Sequence, residues 1–161
     1  MLIRPAKLSD KDDIWSLVEP VLRAGETYPL PQDISREDGL TYWFAKDKTL
    51  FVAEDDSNRL VGLYYIKPNN PGPGNHICNC GYVTRNSERG KGIAQSLCRH
   101  SLEYAKHVGY RGMQYNLVVS TNAAAVYLWQ KMGFDIVGTL PGVFHQPGVG
   151  DVDAYVMFQR L

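Results

Sequence analysis

Two spacings of apolar residues alternate along this chain. Short runs rich in Val, Ile, Leu, Tyr and Phe, the composition of β-strands, fall at 2–5, 49–54, 60–67, 76–84, 112–119, 134–140 and 152–160. Between them lie four segments with helical spacing. The first opens at Ser9-Asp10-Lys11-Asp12 and runs to about Leu22, with Ile14, Leu17, Val18 and Leu22 on one stripe and acidic residues at the positive end of its dipole. Ser35-Arg36-Glu37-Asp38 starts a second, ending near Ala45. A third follows residue 94 and stops at Gly109, and a fourth runs from Asn122 to Gly133, a favoured cap and a favoured stop. Asp55-Asp56-Ser57-Asn58 joins two strands as a hairpin, and 68–75 is a loop by its Pro, Gly and Asn content. Antiparallel runs beside strand-helix crossovers predict an α/β (α+β) fold, one mixed sheet of about seven strands flanked by about four helices. No composition break divides residues 1–161, so a single domain is expected.

The bulk properties narrow the function. Formal net charge is zero, so a broadly basic nucleic-acid surface is not expected. No apolar stretch approaches the ~20 residues of a membrane span, and Met-Leu-Ile-Arg-Pro leads directly into a strand without a signal peptide. The three cysteines, Cys78, Cys80 and Cys98, are odd in number and lack ligand-like neighbours, which points to reduced cytoplasmic thiols and no metal site. Cys78 and Cys80 alternate with Asn79 and therefore share one face of their strand.

The chemistry is concentrated where the strand 76–84 turns into the third helix. Arg89-Gly90-Lys91-Gly92-Ile93-Ala94 gathers unpaired N–H groups at a helix start, with two glycines that let a phosphate approach and two cations beside it. A mononucleotide P-loop spacing is absent, and Gln95 stands where a dinucleotide motif needs its third glycine. The Arg-x-x-Gly-x-Ala turn resembles motif A of the Gcn5-related N-acetyltransferases, the GNAT superfamily. Asn122-x-x-Ala125-x-x-Leu128-Trp129-x-x-x-Gly133-Phe134 resembles motif B, in the family's order and separation.

The resemblance implies a GNAT fold with strands 4 and 5 splayed apart and acetyl-CoA held between them. It implies pyrophosphate contacts at Arg89, Gly90, Lys91, Gly92, Ile93 and Ala94. Pantetheine is expected to pair with the backbone of Tyr82, Val83 and Thr84, with an oxyanion N–H near Val83 or Thr84. Asn122 and Trp129 are expected near the cofactor, Asn122 alternatively as a plain helix cap. Trp129 stands where the family often has a Tyr that protonates the leaving thiolate; an indole N–H can orient but does not titrate. Tyr82 and Tyr155 are left as proton donors, while Tyr127 is expected to face away and pack. For the base, Glu26 in the loop 24–28 is singled out, with His76 as another possibility and Asn79 and Tyr82 lining the acceptor side. Cys80 as an acetyl-carrying nucleophile is a remote alternative. Tyr28, Tyr42, Trp43 and Phe44 would wall the acceptor pocket, and Asp151 and Asp153 in the 141–153 connection would attract a cationic amine. The expected function is direct acetyl transfer from acetyl-CoA to a small amine such as an amino acid. Alternatives are a protein N-terminus or lysine as acceptor, or an acyl-CoA-binding module without catalysis. A homodimer is possible by family habit.

Overall fold

The expected elements form, in the expected order, in the computed structural model, which describes residues 1–161. They are β1 (Leu2–Pro5), α1 (Lys11–Ala24), α2 (Arg36–Trp43), β2 (Thr49–Glu54), β3 (Leu60–Pro68), β4 (Ile77–Thr84), α3 (Ile93–His107), β5 (Gly112–Val119), α4 (Ala123–Lys131), β6 (Asp135–Gln146) and β7 (Gly150–Arg160). One seven-stranded sheet has the order β1-β2-β3-β4-β5-β7-β6, antiparallel except for the β4–β5 pair.

Each face of the sheet carries its own core. On one face, Ile14, Leu17, Val18 and Leu22 of α1 and Leu40 and Trp43 of α2 pack on Leu50, Val52, Leu63, Tyr65 and Val83. On the other, Leu97, Cys98 and Leu102 of α3 and Trp129 of α4 pack on Phe51, Tyr64, Cys78, Cys80 and Tyr115. β3 is therefore buried residue after residue rather than alternately, which explains its unbroken apolar run. α1 stops at Gly25 in the left-handed conformation (φ +65), and Ser35 caps α2 by accepting from the Asp38 N–H at 3.0 Å.

The C-terminal connection departs from expectation. Residues 141–153 are not a loop over the acceptor mouth. β6 continues to Gln146 and pairs with β7 as a tight hairpin, Gln146 opposite Gly150. Pro141, Gly142 and Val143 are absorbed as a bulge between the Leu140 and Phe144 pairings, with Gly142 at φ +61 and its N–H on Asp153 Oδ1 at 2.9 Å. A proline and a glycine read as a loop because the bulge that accommodates them depends on the partner strand.

Candidate active site

β4 leaves the sheet, makes a single 3-10 turn at Asn86–Glu88 and passes through Gly90 (φ +79) and Gly92 (φ +76) into α3. These left-handed conformations turn the backbone so that five N–H groups, of Gly90, Gly92, Ile93, Ala94 and Gln95, find no acceptor in the protein. A Cβ placed on either glycine would meet nothing within 4 Å, so the turn is open to a ligand. Its two cations are not equivalent. Lys91 is held by Glu88 (Nζ–Oε2 2.7 Å), whose other oxygen takes Arg59 (2.8 Å). Glu88 is buried, and the Lys91 contact, then Arg59, hold its carboxyl below the ordinary range. Arg89 has no side-chain partner, leaving its guanidinium as the free charge of the turn.

β4 and β5 pair only at Ile77–Gly112 and Cys78–Met113 and then part. Asn79 occupies the point of separation. Its side chain donates to the Gln114 carbonyl (2.9 Å) and accepts from the Tyr65 hydroxyl (3.3 Å), so one amide bridges the gap in place of a backbone rung. Farther along, β5 bulges at Asn116–Leu117 against β7, which keeps it away from β4. The Arg85–Val61 and Asn69–Ile77 bonds fix the β3–β4 ladder, and alternation along it turns the backbone groups of Gly81 and Val83 toward β3. Those of Cys80, Tyr82 and Thr84 face the gap. Val83 therefore has no N–H for a ligand, and the donors at this edge belong to Tyr82 and Thr84.

The same alternation separates the side chains. Tyr82 points to the α3 face, where its hydroxyl bonds Ser101 Oγ (2.7 Å) and the Tyr115 hydroxyl (2.9 Å). Burial pushes both phenols well above their usual range. Tyr82 thus lies opposite Asn79 rather than beside it, and its phenol does not line the acceptor side. Trp129 packs on Tyr82 and Tyr115, ring centroids 4.9 and 5.1 Å away, with no protein partner for its indole N–H. Asn122 caps α4, its Oδ1 accepting from the Ala125 N–H at 3.3 Å. Tyr127 does not pack; it is 69% exposed at the cleft rim. Burial raises the Cys80 thiol strongly, which removes the thiolate that a nucleophile requires.

On the α1–α2 face, the loop after α1 folds over the cleft. The Tyr28 hydroxyl donates to the Tyr82 carbonyl (2.9 Å), tying the loop to the open edge of β4. Gly81 makes room for this: its Cβ would stand 2.6 Å from Tyr65 Cε1 and 2.9 Å from Tyr28 Oη. Glu26, exposed on the same loop, lines the cleft and has no hydrogen bond or ion pair, unlike Glu88, the other carboxylate of the lining. No histidine reaches the cleft, His76 included. Tyr42, Tyr65 and Lys67 complete this wall. Trp43 is wholly buried and Phe44 does not line the cleft, while Asp151 pairs with His145 (2.8 Å) and Asp153 with Gly142. The expected acidic attraction from these two aspartates is therefore absent from the cleft. Lys67, Tyr65 and Gly81 escaped the sequence reading because only strand register brings them to Asn79 and Tyr28.

The result is a cleft of about 870 Å³ running between parted strands, with phosphate-type donors at one end and Tyr42, Tyr65, Lys67 and Asn79 in the wall at the other. Five free N–H groups, two left-handed glycines and a free arginine fit a pyrophosphate, and a β4 edge with unpaired donors fits an amide-containing arm. That is the architecture of a coenzyme A-dependent acyltransferase. The chain belongs to the acetyltransferase (GNAT) family, whose model matches residues 13–134. It is 30% identical over 151 residues to the N-acetyltransferase aca1 of Schizosaccharomyces pombe, covering 84% of this chain and 72% of that protein. A GCN5-related N-acetyltransferase from Kribbella flavida superposes with a TM-score of 0.94 at 33% identity, over 99% of this chain and 97% of that one. A phosphinothricin acetyltransferase of Sinorhizobium meliloti, solved in complex with acetyl-CoA, shares the fold at TM-score 0.87 and 17% identity, over 99% and 88% of the two chains. The protein is an acetyltransferase with acetyl-CoA as its donor. No helix is long and apolar enough to cross a membrane.

Proposed function

We propose that the chain transfers the acetyl group directly to a small amine, amino acids and related molecules among them. The acceptor side of the cleft supports this reading: the α1–α2 loop, pinned by Tyr28 to the Tyr82 carbonyl, brings Glu26 into a cleft also lined by Tyr42, Tyr65 and Asn79, side chains suited to a compact polar acceptor. Acetyl-CoA supplies a thioester already activated toward nucleophiles, so the protein has chiefly to position and to move protons.

In this reading Glu26, the one unengaged carboxylate of the cleft, takes a proton from the bound ammonium, directly or through water. The N–H groups of Tyr82 and Thr84 face the gap and receive the negative charge developing on the carbonyl oxygen as the C–N bond forms and the C–S bond breaks. Arg89 and the free N–H groups from Gly90 to Gln95 hold the pyrophosphate, with Lys91 tethered to Glu88 at its side. Burial raises the phenols of Tyr28, Tyr65, Tyr82 and Tyr115, so they give up a proton reluctantly, the Tyr28, Tyr82 and Tyr115 hydroxyls are engaged within the protein, and Trp129 does not titrate. Solvent in the cleft therefore protonates the departing thiolate. A cytoplasmic location accords with three buried, unpaired cysteines. The test is thiol release from acetyl-CoA with amino acids, polyamines, aminoglycosides and peptides as separate acceptors. Release with small amines is expected; release with peptides alone would overturn the reading.

A further inference from the structure

The acceptor side of the cleft carries a charge pattern that a plain amine would not require. Lys67 lies directly opposite Asn79 in the β3–β4 ladder, on the same face, at the point where β4 and β5 part, and it lines the cleft. Its only partner is Asp47, 3.3 Å away and more than half exposed, a solvent-screened pair of the weak kind. Beneath it sits Lys48, half-buried, its ammonium 3.1 Å from the centroid of the Tyr42 ring and 4.6 Å from that of Tyr65. Lys48 also donates to the Tyr42 carbonyl at 2.5 Å, and no carboxylate is within ion-pairing distance of it. Burial, and then repulsion from Lys67, push Lys48 down to about 8, so it remains mostly charged at neutral pH. Two ammonium groups thus stand on this wall with a single exposed carboxylate, which pairs with Lys67 alone. Across the pocket Glu26 offers the opposite charge.

We propose that the preferred acceptor is an amine that also carries a carboxylate, with the carboxylate held by Lys67 and the amine turned toward Glu26. The inference rests on the small-amine reading above and narrows it. The acceptor's carboxylate draws Lys67 from Asp47, exchanging a screened surface pair for one in the cleft wall. Asn79 has a second amide N–H beyond the one on Gln114, so a neutral donor stands beside the cation. Lys48 acts as a positioning residue: it does not reach the cleft lining, but it holds the two tyrosine rings and raises the positive potential of the wall. Polycations such as polyamines are disfavoured by the same pair.

The experiment compares kcat/KM, by thiol release, for amino acids and for the matched amides and decarboxylated amines. The wild-type protein is expected to favour the carboxylate-bearing member of each pair by about 10- to 100-fold, the range of a charge-assisted hydrogen bond. Lys67→Gln should bring that ratio close to one, and Lys67→Glu should invert it. Asp47→Asn, a change on an exposed side chain, should raise the ratio by releasing Lys67. Robust turnover of both members at equal efficiency, or a ratio unmoved by Lys67→Gln and Asp47→Asn alike, would overturn the inference and leave the small-amine reading standing. Turnover of peptides with no small amine accepted would overturn both.

Discussion

Removing the Asn79 side chain tests whether a single amide sets the opening between β4 and β5. Asn79→Ala deletes the 2.9 Å bond to the Gln114 carbonyl and the 3.3 Å bond from the Tyr65 hydroxyl. Each such bond is worth ~1 kcal/mol net, the longer one less, and a stranded partner costs ~1–3 kcal/mol unless water reaches it. The contact with the Gln114 carbonyl is only partly buried, so water relieves part of that penalty, and the total comes to about 2 kcal/mol. For a domain of this size that is a fall in Tm of about 4–8 °C. Urea unfolding gives the energy, and the KM for acetyl-CoA reports the geometry of the gap. Asn79→Asp sharpens the test, because a carboxylate cannot donate to Gln114 unless it is protonated. The introduced acid therefore has a raised folded pKa: stability relative to wild type is greatest at low pH and is lost as pH rises through that value. A change under about 0.5 kcal/mol in Asn79→Ala, together with a large drop in activity, would refute the bridging role and assign Asn79 to the chemistry instead.

Gly92→Val is expected to abolish acetyl-CoA binding measured by calorimetry, because valine resists φ +76 and its branches would occupy the open phosphate approach; unchanged affinity would remove the turn as the pyrophosphate site. Trp129→Tyr should keep at least a third of the wild-type rate while costing about 1–3 kcal/mol of stability for the smaller ring against Tyr82 and Tyr115. A collapse in rate with the fold intact would show that the indole N–H orients a reacting group. Asp10 accepts two bonds from Arg4 (2.8 and 3.0 Å) and one from the Lys7 N–H (2.7 Å), and Arg4 foremost holds its carboxyl below 3.8. Its contribution is present above that unfolded value and lost as pH falls through the lower folded one, so Asp10→Asn should destabilise at neutral pH and converge on wild type in acid. A urea-midpoint difference that stays constant from pH 6 to pH 2 would contradict this.

The parts of the site that are local in the chain were readable from it. Arg89 to Ala94 announce their chemistry because helix-start donors and left-handed glycines need no distant partner. Helix α1 was legible from its stripe for the same reason. Whatever depends on strand register was not. Tyr82 was expected beside Asn79, yet the alternation that puts Cys78 and Cys80 on one face also puts Tyr82 with them, so the signal was present and could have been used. The oxyanion donor was placed near Val83 or Thr84, and only the β3–β4 ladder excludes Val83. Lys67 and Lys48 gave no signal, since lysines at strand ends are common and their shared position under the cleft is set by β2, β3 and α2 together. The 141–153 segment was misread because Pro141 and Gly142 can end a strand or be held in a bulge, and the choice lies with β7.

Parting two central strands strands both donors and acceptors, and this chain treats them differently. Two of the exposed carbonyls are answered from within: Asn79 reaches the Gln114 oxygen and Tyr28 the Tyr82 oxygen. The donors are left open, at Tyr82 and Thr84 along β4 and at Gly90, Gly92, Ile93, Ala94 and Gln95 where α3 begins. A donor that a ligand shuts off from water costs free energy unless the ligand brings an acceptor, so a gap lined this way favours ligands that carry acceptors into it. Pyrophosphate oxygens, amide carbonyls and a thioester carbonyl are such acceptors, in the order in which the donors occur from α3 back along β4. Lys67 extends the same surplus past the point of separation and onto the acceptor side. A carboxylate-bearing amine continues the series of acceptors that the cleft is built to receive, whereas a polyamine would meet cations and N–H groups with more of the same.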